Sequence, residues 1–236
     1  MLLNVGVLII GSLLWDEKRQ AWRNARLDMT SVQTVTAPIR YGRLSKGNTY
    51  TMAFSRLCAS GHAKVVNCSH RVSSFGDLNT EAECLWKAEY PKAKPGRIAE
   101  DWGCVALRRN PERKIPESLL TGWADRVGRE ADYGHVSQTQ EEGVLVSKDG
   151  LLQIAWPRLV EGGEPVQLDL LLATANDPTL TGTPASYPNV DTISNAWNVA
   201  ANEHVEYFWK NLDNGIRTFQ DNEIRGLLHP RDQARP

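Results

Sequence analysis

The chain has 236 residues, 41% hydrophobic and 23% charged, an ordinary globular composition able to bury a proper core. Its formal net charge of −1 excludes a global basic field that would recruit nucleic acid or an anionic lipid surface.

The first segment, "VGVLIIGSLLWDEK" from Val5 to Lys18, is strongly apolar, stops on Gly11-Ser12, and turns apolar again before its first charges. Met1 to Trp15 has no Lys or Arg ahead of the apolar run and no small-x-small cleavage site, and fifteen residues are too few to span a bilayer. The expectation is a cytoplasmic chain in which Leu3 to Ile10 is a strand. It is rich in β-branched residues and Leu without alternation, so both of its faces are expected to be buried. Trp15 to Arg26 reads as a short helix or turn. Short alternating runs follow at Val32–Tyr41, Asn48–Ser55 and His62–Ser69; in "NTYTMAFS", Tyr50, Met52 and Phe54 alternate with Thr49, Thr51 and Ala53.

Thr80 to Tyr90 shows no clear period, and "PKAKPGR" from Pro91 to Arg97 is a loop by its two prolines and glycine. "DWGCVALRR" is a strand. Pro116 then opens a helix that carries Leu119, Leu120, Trp123 and Val127 at helical spacing, and Gly128 ends it. Val144–Ser147 and Leu151–Trp156, separated by "KDG", read as a hairpin, and "VQLDLLLATA" as the last strand. Beyond a proline-punctuated loop, Asp191 is a candidate N-cap. One apolar stripe follows through Ile193, Ala196, Trp197, Ala200, His204, Tyr207 and Phe208, and a second short helix covers Phe219–Leu228 before a frayed tail. Many short strands with few helices between them predict an α+β chain with a mostly β core and helices packed outside. No repeat or interdomain linker interrupts it. One domain over 1–236 is expected, with a core of about 1–175 and a C-terminal helical extension of about 188–229.

The four cysteines, Cys58, Cys68, Cys84 and Cys104, contain no C-x-x-C pair. Cys58, Cys68 and His70 follow no common zinc spacing, so no metal site is expected. In a cytoplasmic chain they are reduced thiols, and Asn67-Cys68-Ser69 is not a glycosylation site. Gly6-x4-Gly11-Ser12 is half a phosphate-binding loop without its phosphate-reaching Lys. The same loop has another capacity. Consecutive backbone N–H groups at a strand end form a concavity for an anion or a developing oxyanion, and Ile10, Leu13, Leu14 and Trp15 would keep water away from it. Gly11-Ser12 could equally be a tight turn that tucks Leu13 and Trp15 into the core.

"LIIGSLLW" resembles the signature of the γ-glutamylcyclotransferase-like superfamily, in which an N-terminal strand ends in a Tyr-Gly-Ser-Leu loop. Gly11, Ser12, Leu13, Leu14 and Trp15 match the ChaC-like branch, and Ile10 stands where the family has Tyr. "APIRYGRLS", "WGCVALR", "WADRVGREADYG" and "ISNAWNVAANEHVEYFWKNL" are more loosely similar to later segments, in order. The resemblance implies a small mixed β-barrel with helices outside and added C-terminal helices. It implies a γ-glutamyl amide or peptide as small-molecule substrate and no cofactor. In the implied reaction the substrate's α-amine attacks its own γ-carbonyl, closing 5-oxoproline and expelling an amine or amino acid. Ile10, Gly11, Ser12, Leu13, Leu14 and Tyr133 would bind the substrate, and one carboxylate would move the proton.

Glu130 is the expected carboxylate, with Glu142 and Glu100 as rivals. Arg126 and Arg129 nearby would hold its pKa down, and Arg126 at i−4 could make it an ordinary helix pair. A serine-hydrolase reading is weak, since Ser12 lies outside a G-x-S-x-G elbow and no His/Asp pair is placed among His62, His70, His135, His204 and His229. The non-enzymatic alternative is a small-ligand-binding member of the same fold. Nothing in the sequence fixes the leaving amine or the oligomeric state.

Overall fold

The computed structural model describes residues 2–130, 133, 143–199 and 202–228, with the backbone alone for 202–205. His135, Glu142, Ala200, His229, the tail and the His204 side chain lie outside what is described. In chain order the elements are β1 (Val5–Ile9), α1 (Gln20–Arg26), β2 (Leu27–Ala37), β3 (Ile39–Ser45), β4 (Thr49–Phe54), β5 (Gly61–Cys68) and α2 (Phe75–Glu89). They continue with β6 (Ala99–Glu100), β7 (Gly103–Arg109), α3 (Glu117–Val127), β8 (Leu170–Asn176), α4 (Val190–Val199), α5 (Asn202–Asp213) and α6 (Asp221–Leu227).

The apolar N-terminal run forms β1, inside a six-stranded mixed sheet ordered β2-β5-β1-β8-β7-β6. It pairs antiparallel with β5 and parallel with β8, Val7 opposite Val66 and Leu172. Every residue of β1 and of β8 is buried, as expected for strands covered on both faces. Val5, Val7 and Ile9 join the core under α2 and α3, while Leu8 and Ile10 join the core on the other face, with Tyr41, Met52, Phe54, Trp197 and Phe208. Each such buried aliphatic side chain stabilises by about 1.5–3 kcal/mol relative to exposure.

The strands form an open sheet, and among the described residues they do not close into a barrel. β2 and β6 are its edges, and β3 and β4 make a separate two-stranded ribbon. The break comes at Pro38, between β2 and β3. Proline has no N–H to extend a ladder; its carbonyl instead accepts from the Ser55 N–H at 2.9 Å, and the chain folds back as the ribbon.

Three local readings are refined. The segment without a clear period is the second half of α2. Ser74 caps that helix in a reciprocal box with Asp77, and Leu78, Ala82, Leu85 and Trp86 are buried along one face. The C-terminal stripe is divided between α4 and α5, which pack Trp197 against Phe208 at 5.3 Å between ring centroids. Asn189, not Asp191, caps α4: its Oδ1 accepts from the Thr192 N–H at 2.8 Å. The "KDG" turn is present, with Gly150 at φ +75° and a bridge from Val146 to Leu152. No helix among the described residues is long and apolar enough to cross a membrane.

Candidate active site

β1 and β8 run parallel, so their carboxyl ends emerge together. There the chain leaves a cavity of about 620 Å³, reached by the first loop, the β3–β4 ribbon, the end of α2, β8 and α5. Ile10, Gly11, Ser12 and Leu13 line it. The loop is a tight turn: the Leu14 N–H donates to the Gly11 carbonyl at 3.1 Å and the Asp16 N–H to the Ser12 carbonyl at 2.8 Å. Buried Arg23 of α1 pins it by donating to the carbonyls of Leu13 at 3.0 Å and Asp16 at 2.8 Å. Among the described residues no acceptor engages the N–H of Ser12 or Leu13. Two backbone donors at the cavity wall are thus uncommitted, which suits an oxyanion.

The structure does not bring the other predicted residues there. Glu130 is buried, 8% exposed, but does not line the cavity. Its carboxylate is held between Arg97 Nε at 2.8 Å and Arg126 at 2.7 Å. Arg126 also donates to Asn79 Oδ1 at 3.0 Å and to the Gly96 carbonyl. Glu130 therefore ties α3 to α2 and to the loop before β6, and both its oxygens are committed to guanidinium groups. Tyr133 is likewise engaged elsewhere, its hydroxyl donating to the Val105 carbonyl of β7. Leu14 packs between the two cores instead of lining the cavity. Glu100 sits in β6, outside the lining.

Among the described residues, the carboxylate that lines the cavity is Glu89, the last residue of α2. Burial raises its pKa, and the nearby charges of Arg43 and Arg19 offset this only in part. Its place at a helix C-terminus acts in the same direction, because the dipole there disfavours negative charge. No cation among the described residues lies within ion-pairing distance of it. This is the environment of a carboxylate better able to hold and return a proton than an exposed one. The sequence signal was the S-x-x-D box at Ser74–Asp77 ahead of Leu78, Ala82 and Leu85. That box fixes the start of α2, the helix whose last residue is Glu89.

Two further side chains of the wall bear on its chemistry. Arg43 of β3 lies with its guanidinium 4.3 Å from the centroid of Trp102, which stacks on Trp86 at 5.0 Å. Packing thereby fixes the orientation of a charged group, and burial lowers its pKa. Tyr207 of α5 also lines the cavity. Its oxygen accepts from the Met52 N–H at 3.3 Å and would lie 2.5 Å from a Cβ placed on Gly11. Glycine at position 11 is what lets this hydroxyl sit against the loop. Burial is the largest cause raising the Tyr207 pKa, to about 12, so the hydroxyl keeps its proton. Trp15 anchors the helix that delivers it: its indole N–H donates to Asn211 Oδ1 at 2.8 Å, and its ring meets that of Tyr207 edge-on at 5.8 Å. A tyrosine hydroxyl thus stands beside Gly11 although position 10 is Ile.

All four cysteines are free thiols. Among the described residues no group of three or more His, Cys, Asp and Glu side chains is placed to hold a metal ion. Compared with protein-family models, with curated proteins and with solved structures, the chain matches none.

Proposed function

We propose that the protein is a γ-glutamylcyclotransferase-like enzyme. It cyclises a γ-glutamyl amide or peptide to 5-oxoproline and releases an amine or amino acid. The observation that carries this reading is the position of Glu89, a carboxylate with a raised pKa and, among the described residues, no ion pair, in one cavity with the loop of Ser12 and Leu13, whose amides no described acceptor engages.

In this reading the γ-glutamyl group binds folded. Its α-carboxylate meets Arg43 and its γ-carbonyl oxygen meets the Ser12 and Leu13 N–H groups. Glu89 takes a proton from the α-ammonium, and the freed amine attacks the γ-carbonyl carbon. The new C–N bond closes a five-membered ring, and negative charge moves to the oxygen held by the loop. Collapse of that intermediate breaks the bond to the departing nitrogen. Over the cycle the α-nitrogen loses two protons and the departing nitrogen gains two. Glu89 relays them one at a time and ends as it began. No protein nucleophile is required, because the substrate supplies its own.

The same reading takes the sheet and the ribbon as the two halves of one small barrel. The ribbon leaves β2 through the single residue Pro38 and packs back on β8, where the Asn176 amide donates to the Met52 carbonyl at 3.3 Å.

Incubation with a panel of γ-glutamyl dipeptides and glutathione, followed by assay of 5-oxoproline, tests the proposal. The wild type releases 5-oxoproline, and Glu89→Gln lowers kcat by about 10²–10⁴-fold. Undiminished release by the Gln variant would remove Glu89 from the mechanism. No release from any substrate, with saturable binding of 5-oxoproline, would instead mark a ligand-binding module.

A further inference from the structure

We propose that Thr174, near the carboxyl end of β8, binds the α-ammonium of the substrate beside Glu89 and sets the direction of the amine once Glu89 has taken its proton. The inference rests on the reading given above and deepens it at the glutamyl half of the substrate, where only the proton carrier has been matched to the nitrogen.

Unanswered polar atoms carry it. Leu170 and Leu172 belong to the core under α2 and α3, and alternate residues of a strand share a face. Thr174 is the next residue on that face and the first polar one after the two leucines. It is 7% exposed and lines the cavity, and among the described residues its hydroxyl has no hydrogen-bond partner. Glu89 ends α2, the helix that packs on the same face, and lines the same cavity. Asn176, two residues further along β8, is buried and also in the cavity wall. Its Nδ2 donates to the Met52 carbonyl at 3.3 Å, which fixes the orientation of the amide and leaves Oδ1 buried without a partner.

A buried polar atom with no partner costs stability, and a ligand that answers it removes that cost on binding. Asn176 Oδ1 can only accept a hydrogen bond, and the Thr174 hydroxyl can accept one. The group that suits them is a donor. In the γ-glutamyl group that donor is the α-ammonium, which comes to Glu89 to lose its proton. The α-carboxylate and the γ-carbonyl oxygen are acceptors, and Arg43 and the loop amides meet them. An ammonium has three N–H groups, and Glu89, Thr174 and Asn176 supply three acceptors. Once Glu89 has taken one proton, the two remaining N–H groups stay on Thr174 and Asn176. The lone pair is then left for the γ-carbonyl carbon, and the amine does not rotate away from it.

The test compares two probes that differ in that nitrogen, L-glutamate and glutarate, by calorimetric titration of the full chain. Release of 5-oxoproline from γ-glutamyl-alanine is followed alongside. The wild type is expected to bind glutamate more tightly than glutarate. Thr174→Val keeps the shape and removes the oxygen. It lowers that preference by about 10-fold, the size of a hydrogen bond to a charged group, and lowers kcat by a similar factor. Thr174→Ser, which keeps the hydroxyl, retains most of both. Melts without ligand separate binding from folding: Thr174→Val melts no lower than the wild type, because the lost hydroxyl had no partner to lose. A lower melt would make the hydroxyl a structural group and overturn the inference. An unchanged preference for glutamate in Thr174→Val, or equal weakening of both probes, would also overturn it, while 5-oxoproline release by the wild type leaves the cyclotransferase reading standing. A preference that falls in Thr174→Val without 5-oxoproline release from any γ-glutamyl substrate would overturn that reading and leave the ammonium site standing.

Discussion

At the scale of single residues, the site depends on contacts that sequence spacing cannot display. Gly11 illustrates this. The sequence marks it as a turn glycine, yet its φ is not in the left-handed region, so backbone freedom is not what the position requires. It requires space: a Cβ there would stand 2.5 Å from the Tyr207 hydroxyl, inside the distance real contacts allow. Gly11→Ala is therefore expected to push Tyr207 away and to cost about 1–3 kcal/mol by overpacking. Adding Tyr207→Phe, which removes the oxygen, should recover a measurable part of that stability in a double-mutant cycle followed by urea unfolding. Additivity of the two substitutions would mean that the hydroxyl and the loop do not meet. Gly11, Ser12 and Leu13 were legible in the sequence because a strand that ends on Gly-Ser is a local signal. Glu89, Arg43 and Tyr207 were not, because each lies on a different element and they meet only when three segments of chain pack around the carboxyl ends of β1 and β8.

At the scale of elements, the sequence was most readable where one period ran without competition. β1, β7, α3 and the core of β8 follow from apolar runs and helical spacing. α2 was half hidden because its exposed and buried residues blur the period after Thr80, while its start, a box of Ser74 and Asp77, lies upstream of the blur. The sequence likewise does not divide α4 from α5, since Ile193, Trp197 and Phe208 supply one apolar stripe across both. Glu130 belongs to this scale. Its neighbours Arg126 and Arg97 make it a clasp between α3, α2 and the loop before β6. Glu130→Gln removes a buried anion and leaves two guanidinium groups unanswered, for which about 3–5 kcal/mol of lost stability is expected. The check is paired: unfolding free energy from urea titration, and turnover per folded molecule on the best substrate. Lost stability with retained turnover fits the clasp. Retained stability with lost turnover would return the catalytic role to Glu130 and take it from Glu89.

At the scale of the whole molecule, the cavity sets binding against stability, and pH separates the two. Burial is the largest cause that raises the Glu89 pKa, and Arg43 and Arg19 oppose it only partly. The folded protein therefore binds that proton more tightly than the unfolded chain does. A carboxyl group shifted upward contributes stability that is fully present below its unfolded pKa and is lost as pH rises through its folded value. Catalysis has the opposite sign, because the base must be ionised: kcat/KM falls as pH drops through the same folded value. Once ionised, Glu89 is thus at once the proposed base and a local source of instability, the usual trade-off between function and stability. Glu89→Gln removes the ionisation and keeps the shape. Calorimetric melts at pH 8 should place the variant above the wild type, and the gap should narrow toward pH 4, where the wild-type carboxyl is protonated in both states. The pH profile of kcat/KM, measured on the wild type, should bend on its acid side at the pH where the widening gap between the two melting curves levels off. A variant that melts below the wild type at pH 8 would show that the guanidinium groups of Arg19 and Arg43 outweigh burial. Glu89 would then be a stable counter-ion, unfit to act as the proton carrier.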